Sequence, residues 1–533
     1  MIFGTPYAAV PFGHSEYSAE ATIGDYETLL TQPDAARHFL LKISPYDPDT
    51  TAVVDRYFSQ GPSIVPGSSQ LWYSRIVDAL NLQVQLFGGR FGIGGEGRPS
   101  FGAITLAFGD AGPSQDDELA TFEYDGRTVE LKMGGDGFHY DDYQTVFKGT
   151  AEDATWDEDT FSLVLRDPSF KIEKAVQSTL YAGTGGAEGG EDLTGKPKPL
   201  SYGRPPNLTP VLVDRTYLVY QFHESTATAV DYVYDRGDAY AAEGDTASYA
   251  ALIAASVSAS SYKTCLAQGM FRLGSTPNGI VTCSVQGDTE SGTLHETAGA
   301  ICKRILKNKA GLSDSDLNLP SFTALDTSQP YALSLYIAES ASVPEVLDTI
   351  LSPRGFRTFT RDGKISVGRV AFGTRQLTIQ APDIVDISRE RTDRPAWRVN
   401  LGYNPNWTLM RPDELAAVSL DLDADFATNA VRRVTDSNSA ILTRRALARD
   451  LEVDTLFNDL DDATDEASDL LDLIGEDRHI YRVQVLRRQF VISPGATVLL
   501  KHSRFGLSTG RDMIVLGITE TIRTGITELR LWG

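Results

Sequence analysis

Several stretches have residue types and spacings that could do chemistry. Gly92-Ile-Gly-Gly-Glu-Gly97 has the GxGxxG spacing of a dinucleotide-binding turn and follows a strand-like run. Such a turn needs a helix to open on it, because the first helical amides must face the pyrophosphate. Here Arg98-Pro-Ser100 and another strand-like run follow, so the stretch reads as a β-loop. Gly190-Glu-Asp-Leu-Thr-Gly-Lys196 approaches a phosphate-binding loop. Pro197 stands where Ser or Thr would hold Mg²⁺, and Lys-Pro-Lys-Pro cannot open a helix. Two acids inside the loop would also repel phosphate.

The seven histidines, His14, His38, His139, His223, His295, His479 and His502, show no HxH or HExxH spacing. Gly-x-Ser-x-Gly is absent. Cys265, Cys283 and Cys302 are odd in number and lack CxxC, which argues against a disulfide framework or a zinc site. They read as buried thiols of a protein assembled in the cytosol. Asp141-Asp142 and the acidic run at 459–466 supply carboxylates, but a glycosidase pair is a spatial feature. Arg236-Gly-Asp238 matches an adhesion tripeptide and also reads as a hairpin turn. Trp72, Trp156, Trp397 and Trp407 could stack on sugars, although lone tryptophans are more often core. The expectation is no catalytic, cofactor-binding or metal residues, and no cofactor.

The elements around these residues are mostly strands. At 533 residues the chain exceeds one ordinary core, and length suggests about three or four domains. A formal net charge of -24 disfavours a DNA-gripping surface, though it does not exclude one that DNA slides past. The start, Met1-Ile-Phe-Gly-Thr-Pro-Tyr7, has no basic n-region, and no run reaches the ~20 apolar residues that span a bilayer. The expectation is a chain neither secreted by a signal peptide nor membrane-spanning.

Residues 1–35 read as an arm with little regular structure. Arg37–Ser44, Leu82–Phe87, Phe101–Phe108, Thr145–Gly149 and Thr160–Arg166 read as strands of a sandwich or barrel, with a hairpin over Phe122–Lys132 turning at Asp125-Gly126. This first β domain covers 36–180. Gly183–Gly190 reads as a flexible, exposed hinge, followed by a proline-stiffened crossing and a strand over Leu212–Phe222, so 181–222 is a linker and a following strand. A middle domain with α/β units covers 223–380. In it Ser342-Val-Pro-Glu345 predicts a capped helix start, and Asp362-Gly363 predicts a hairpin turn. Residues 381–533 read as a C-terminal β-barrel with an acidic helical insertion near 413–478. Along 459–474, Leu460, Ala463, Ala467, Leu470, Leu471 and Ile474 take one side, and the acids read as a solvated face. The predicted fold class is mainly β with α/β insertions, in several small barrel or sandwich domains.

A resemblance then enters. Phe87-Gly-Gly-Arg-Phe-Gly92 with Pro99–Leu106, Val146-Phe-Lys-Gly149 with Ser162–Asp167, and Lys198–Arg204 resemble the tail hub or baseplate-type tail-tip proteins of long-tailed bacteriophages and prophages. Arg361–Arg369, Trp397–Asn404 and Arg504–Leu507 through Leu531–Gly533 extend the likeness, from about residue 35 onward. The resemblance is one of pattern and order. It implies a ring at the end of the tail tube, commonly a trimer whose paired barrels imitate six-fold symmetry. It implies distal tail or tube proteins on one side, tip or fibre proteins on the other, and DNA transit without specific binding. Lysozyme or peptidase modules occur in some such proteins, but no matching motif is present here. Alternatives are a distal tail protein of the same assembly or a carbohydrate-binding, receptor-recognising protein.

Overall fold

The structure, a computed structural model, describes residues 26–31, 35–79, 81–86, 95–100, 102–108, 118–166, 168–390, 394–416, 421–486, 492–521 and 526–533. The fold is mainly β with α/β insertions.

The first barrel is built from period-two alternation. Its strands run in the spatial order Arg56–Gln60, Arg37–Ile43, Thr128–Gly135, Gln144–Trp156, Thr160–Arg166 and Ala103–Ala107, each antiparallel to the next. Phe39, Leu41 and Ile43 point inward with Val129, Leu131 and Met133 and with Phe161, Leu163 and Leu165. Leu40 points outward instead, into a second cluster with Leu29, Trp72, Phe138 and Tyr143.

One split strand closes this sheet. Tyr73–Ser74 pairs parallel with Arg56–Gln60, and Ile76–Asp78 pairs antiparallel with Ala103–Ala107. Arg75 lies between the halves. Its amide donates to Ser59 O at 3.0 Å, and its carbonyl accepts from Ala107 N at 2.8 Å. Among the described residues both outer strands of the sheet thus find a backbone partner, which nearly closes the barrel.

The second barrel is closed in the same way. Thr497–Leu500, Arg511–Thr521, Ile526–Trp532 and Ile480–Leu486 pair in that order. Arg375–Ile379 then pairs parallel with Thr497–Leu500, and Ile384–Glu390 pairs antiparallel with Ile480–Leu486. A single turn at Ala381–Asp383 joins these halves. Val483, Val485, Val498, Met513, Val515, Leu529 and Leu531 fill the interior.

A hairpin couples the barrels. Asn81–Leu86 continues from the first barrel's closing strand and pairs with Arg511–Thr521, from Gln85 opposite Gly517 to Asn81 opposite Thr521. Gly95–Ser100 pairs back on Asn81–Leu86 and then, in parallel, with Gly355–Phe359. Leu82 and Val84 join the first barrel's core, while Leu86 joins the central one. Lys148 N also donates to Arg361 O at 2.9 Å.

The central core packs helices Ala298–Asn308, Leu319–Ser328, Val343–Leu351 and Leu460–Ile474 against strands that include Leu200–Gly203, Ser334–Ile337, Gly355–Phe359 and Ala396–Tyr403. The helix at Val343 starts as its sequence predicts. Ser342 Oγ accepts from Glu345 N at 3.4 Å, and Glu345 Oε2 accepts from Ser342 N at 3.0 Å. Gly363, with φ 75°, turns the hairpin between Gly355–Phe359 and Ile365–Arg369.

Most of the arm expected at 1–35 lies outside the described residues, and Tyr26–Thr31 within it is a short helix. Other expectations need correction. Phe122–Lys132 turns at Gly126 without forming a hairpin, because Glu123 bridges to Tyr46 instead. Gly183–Gly190 is a turn pinned by internal bonds, exposed at Thr184 and Gly185 and partly or fully buried elsewhere. Gly183 N donates to Glu188 O and Gly185 N to Gly189 O, Lys198 pairs with Glu188, and Gly189 is buried. The expected strand over Leu212–Phe222 is a hairpin of Val211–Asp214 with Val219–Gln221. Asp214 Oδ1 accepts from Thr216 N and Tyr217 N, and Leu218 takes φ 55°. That local carboxylate–amide turn breaks the apolar run.

The acidic helix is also less solvated than expected. Asp461, Asp465 and Asp472 face solvent, but Glu466 is fully buried. Its Oε1 accepts from Arg354 Nε at 2.7 Å and its Oε2 from Arg354 Nη2 at 2.9 Å. Arg369 Nη2 also pairs with Glu466, and Asp469 Oδ2 accepts from Arg354 Nη2 at 3.0 Å. Burial raises the carboxyl's proton affinity, and Arg369 opposes it. Two guanidiniums and two carboxylates balance in charge, tying the helix to the Gly355–Arg369 hairpin. Glu466→Ala would leave both arginines under-compensated, and we expect a loss of about 3–5 kcal/mol, read from chemical unfolding. Glu466→Gln should lose less, since its amide oxygen still accepts.

Lys171 Nζ donates to Asp316 Oδ1 at 2.9 Å, fastening the exit of the first barrel to the central core. Burial works against ionisation of Asp316, but bonds from Ser313 and Lys171 outweigh it and hold the carboxyl at about 2, below its ordinary 3.8. A depressed carboxyl stabilises the folded chain above its ordinary value and loses that contribution as pH falls. The loss should therefore fall between pH 3.8 and about 2, and Asp316→Asn should flatten that part of an acid-unfolding curve.

Candidate functional site

The side-chain cluster nearest to a catalytic set was not foreseen. His223 follows strand Val219–Gln221, Asp288 lies on Val281–Glu290, and Arg304 lies on helix Ala298–Asn308. His223 is buried, while Ser225 is exposed. Ser225 Oγ stands 3.2 Å from His223 Nε2, and Asp288 Oδ1 stands 3.7 Å from the same nitrogen. Ser201 N donates to His223 Nδ1 at 3.1 Å. In the neutral ring the proton therefore sits on Nε2.

A nucleophilic triad needs the reverse arrangement. The carboxylate must hold Nδ1–H so that Nε2 can take the serine proton. Here Nε2 already carries a proton and offers it to Ser225 or Asp288. Burial pushes Asp288 up, but His223 and Arg304 together hold it below the usual carboxylate range. The cluster is a brace that joins a strand, a loop and a helix.

The sequence motifs lose their chemistry for visible reasons. Residues 92–94 of the Gly92–Gly97 run lie outside the described residues, and Gly95–Gly97 opens a strand. In Gly190–Lys196 the amides of Leu193, Thr194 and Lys196 are bonded within the loop, and Asp192 pairs with Arg215 at 2.9 Å. No amide cradle faces outward from these three. Arg236 of the Arg-Gly-Asp turn donates to the carbonyls of Glu414 at 3.0 Å and Leu415 at 2.8 Å, which takes up its guanidinium. Among the described residues no three His, Cys, Asp or Glu side chains could hold a metal ion. No helix among them is long and apolar enough to cross a membrane.

The tryptophans do not form a shared platform. Trp72 is buried between Tyr57 and Tyr140 on the first barrel. Trp156 is exposed and packs on Tyr124 and Phe161. Trp397 and Trp407 are half-buried against the central core, where Trp407 Nε1 donates to Ser334 Oγ at 3.2 Å. His38 pairs with Asp136 at 2.5 Å, while His139, Asp141 and Asp142 form an exposed turn. The three cysteines are buried free thiols.

What the surface does offer is an apolar patch on the first barrel's closing segment. Trp72 N donates to Ser63 O at 2.9 Å, which brings the Ser63 and Trp72 segments together. Ile64 is 78% exposed and Leu71 53%. Tyr73 and Val77 on the split strand are exposed too, and the Arg75 guanidinium lies over the Tyr73 ring. A cavity of about 380 Å³ opens beside them, lined by Asp55, Arg56, Tyr57, Leu71, Tyr73 and Glu118 among others. An apolar patch rimmed with charge is the form of a protein-contact surface. Sequence reading did not find it, because exposure depends on how the closing strand is laid.

No protein-family model matches the chain, and no curated protein does. Among solved structures it is similar to the 43 kDa tail protein of prophage MuSo2 from Shewanella oneidensis, at 9% identity over 93% of this chain and 96% of that one, with a TM-score of 0.39. It is similar to a tail protein from Neisseria meningitidis MC58, at 11% identity over 92% and 96%, with a TM-score of 0.40. It is also similar to prophage tail protein gp18 from Listeria monocytogenes EGD-e, at 8% identity over 93% and 94%, with a TM-score of 0.35. All three of these solved structures are of tail proteins, two of them from prophages.

Proposed function

We propose that the chain is a structural, non-enzymatic component of a phage-type tail, a hub that closes the tail tube as a ring. The observation that carries this reading is the pair of barrels in one chain, both closed by a split strand and coupled by one hairpin. Three copies would present six barrels around an axis, matching a six-fold tube. The ring binds distal tail or tube proteins on one side and tip or fibre proteins on the other. DNA passes through its lumen during ejection without specific binding, in keeping with the net charge of -24. The protein belongs to the virion tail tip and is assembled in the host cytoplasm.

The apolar patch at Ile64, Leu71, Tyr73 and Val77 is the contact surface in this reading. Light scattering on the purified chain should give three times the chain mass. Ile64→Asp with Leu71→Asp should shift it to monomer without lowering its melting temperature, because both side chains are exposed. A wild-type monomer that also fails to join a tube protein would sink the hub reading. A serine-reactive fluorophosphonate should leave Ser225 unlabelled, because Nε2 of His223 cannot take its proton.

A further inference from the structure

A second surface feature lies on the middle part of the chain. Strand Ala227–Asp235 pairs with Val281–Glu290, and the register shifts between Val230 and Tyr232. A bulge of this kind re-aims the side chains that follow it. Tyr232 and Tyr234 then share a face, with rings stacked 5.7 Å apart at 18°. Tyr234 is buried with Met410, Leu422 and Phe426, so it supports its neighbour from beneath. Tyr232 stays 54% exposed. Opposite stand Asp421 and Asp423, ahead of the short helix Ala424–Thr428. The shallow, open groove between them has a volume of about 530 Å³.

Polar groups ring the exposed tyrosine, and neighbours hold them in place. Arg204 Nε donates to Glu296 Oε2 at 2.6 Å. Asp231 Oδ1 accepts from Gln286 Nε2 at 2.9 Å, and Asp421 Oδ2 accepts from Ala239 N at 2.9 Å. Asp423 Oδ2 accepts from Arg432 Nη2 at 2.5 Å. The site is oriented before any ligand arrives, which limits the ordering cost of binding.

We propose that this groove binds a neutral oligosaccharide, one sugar face stacked on the Tyr232 ring and its hydroxyls held between Arg204, Asp231 and Asp421. A pyranose has an apolar C–H face and a rim of hydroxyls that both donate and accept. The groove supplies a π-face, a guanidinium donor and carboxylate acceptors around it. Glu296 offsets Arg204 and Arg432 offsets Asp423, which leaves Asp231 and Asp421 as acceptors that a cation would compete for, so a polyamine is the comparison ligand. A purely apolar ligand would desolvate the carboxylates with only part of their acceptor capacity met. A free oligosaccharide and a cell-surface polysaccharide present the same chemistry. The inference does not depend on ring formation, since binding can be read in any oligomeric state.

The test uses the full-length chain. Saturation-transfer NMR and titration calorimetry would be run with neutral oligosaccharides of glucose, galactose, mannose and N-acetylglucosamine, with a purified surface polysaccharide, and with spermidine as the cationic comparison. At least one sugar should bind, and binding to polymer or fragment alike supports the proposal. Tyr232→Ala should weaken that binding about tenfold or more, with melting unchanged. Tyr217→Ala, at an exposed tyrosine outside the groove, should leave it intact. No sugar binding at millimolar concentration would overturn the proposal, as would equal affinity in wild type and Tyr232→Ala. Spermidine binding that Tyr232→Ala abolishes, with no sugar bound, would make the groove a cation site and overturn it too.

Discussion

The backbone ladder between Asn81–Leu86 and Arg511–Thr521 is the contact on which the rest of the molecule depends. It pairs residues from opposite ends of the chain, with Gln85 against Gly517. Closing so long a loop is entropically costly, though the cost grows only logarithmically with length. The hairpin offsets this by satisfying several interests at once. It pairs its own backbone, extends the second barrel's longest strand, and places Leu82 and Val84 in one core and Leu86 in another. Among the described residues the other links between the barrels run through the central core and through isolated bonds such as Lys148 N to Arg361 O.

Much of the local structure was legible in the sequence, because it follows short-range rules. Arg37–Ile43 and Thr160–Arg166 are strands where the sequence predicts them, and in the second the alternation puts Phe161, Leu163 and Leu165 inward. The Ser342–Glu345 cap and the Gly363 turn are local chemistry and occur where that chemistry sits. The failures also have a common cause. Gly183–Gly190 has the composition of a flexible loop, but its amides found partners within the turn and Lys198 clamped Glu188. Val211–Gln221 is apolar enough for one strand, but Asp214 nucleated a turn inside it.

The candidate sites were less legible than the fold. Glu466 carried a usable signal: it lies three residues after Ala463 and next to Ala467, on the apolar side of its helix. A carboxylate in that position must be paired, and its partners come from a hairpin about 100 residues away in sequence. The apolar patch and the Tyr232 groove had no comparable signal. Each is assembled from segments whose proximity depends on sheet closure, on a register shift, or on both.

The geometry of the hairpin ladder also bears on how the molecule carries load. A pull that drags the first barrel along the axis of Asn81–Leu86 meets the whole ladder against Arg511–Thr521 in shear. Its bonds must then fail together. A pull across the strands would open the same ladder from one end, one bond at a time. The two barrels are thus joined stiffly along the strand direction and more yieldingly across it, so this chain transmits force as an oriented coupling.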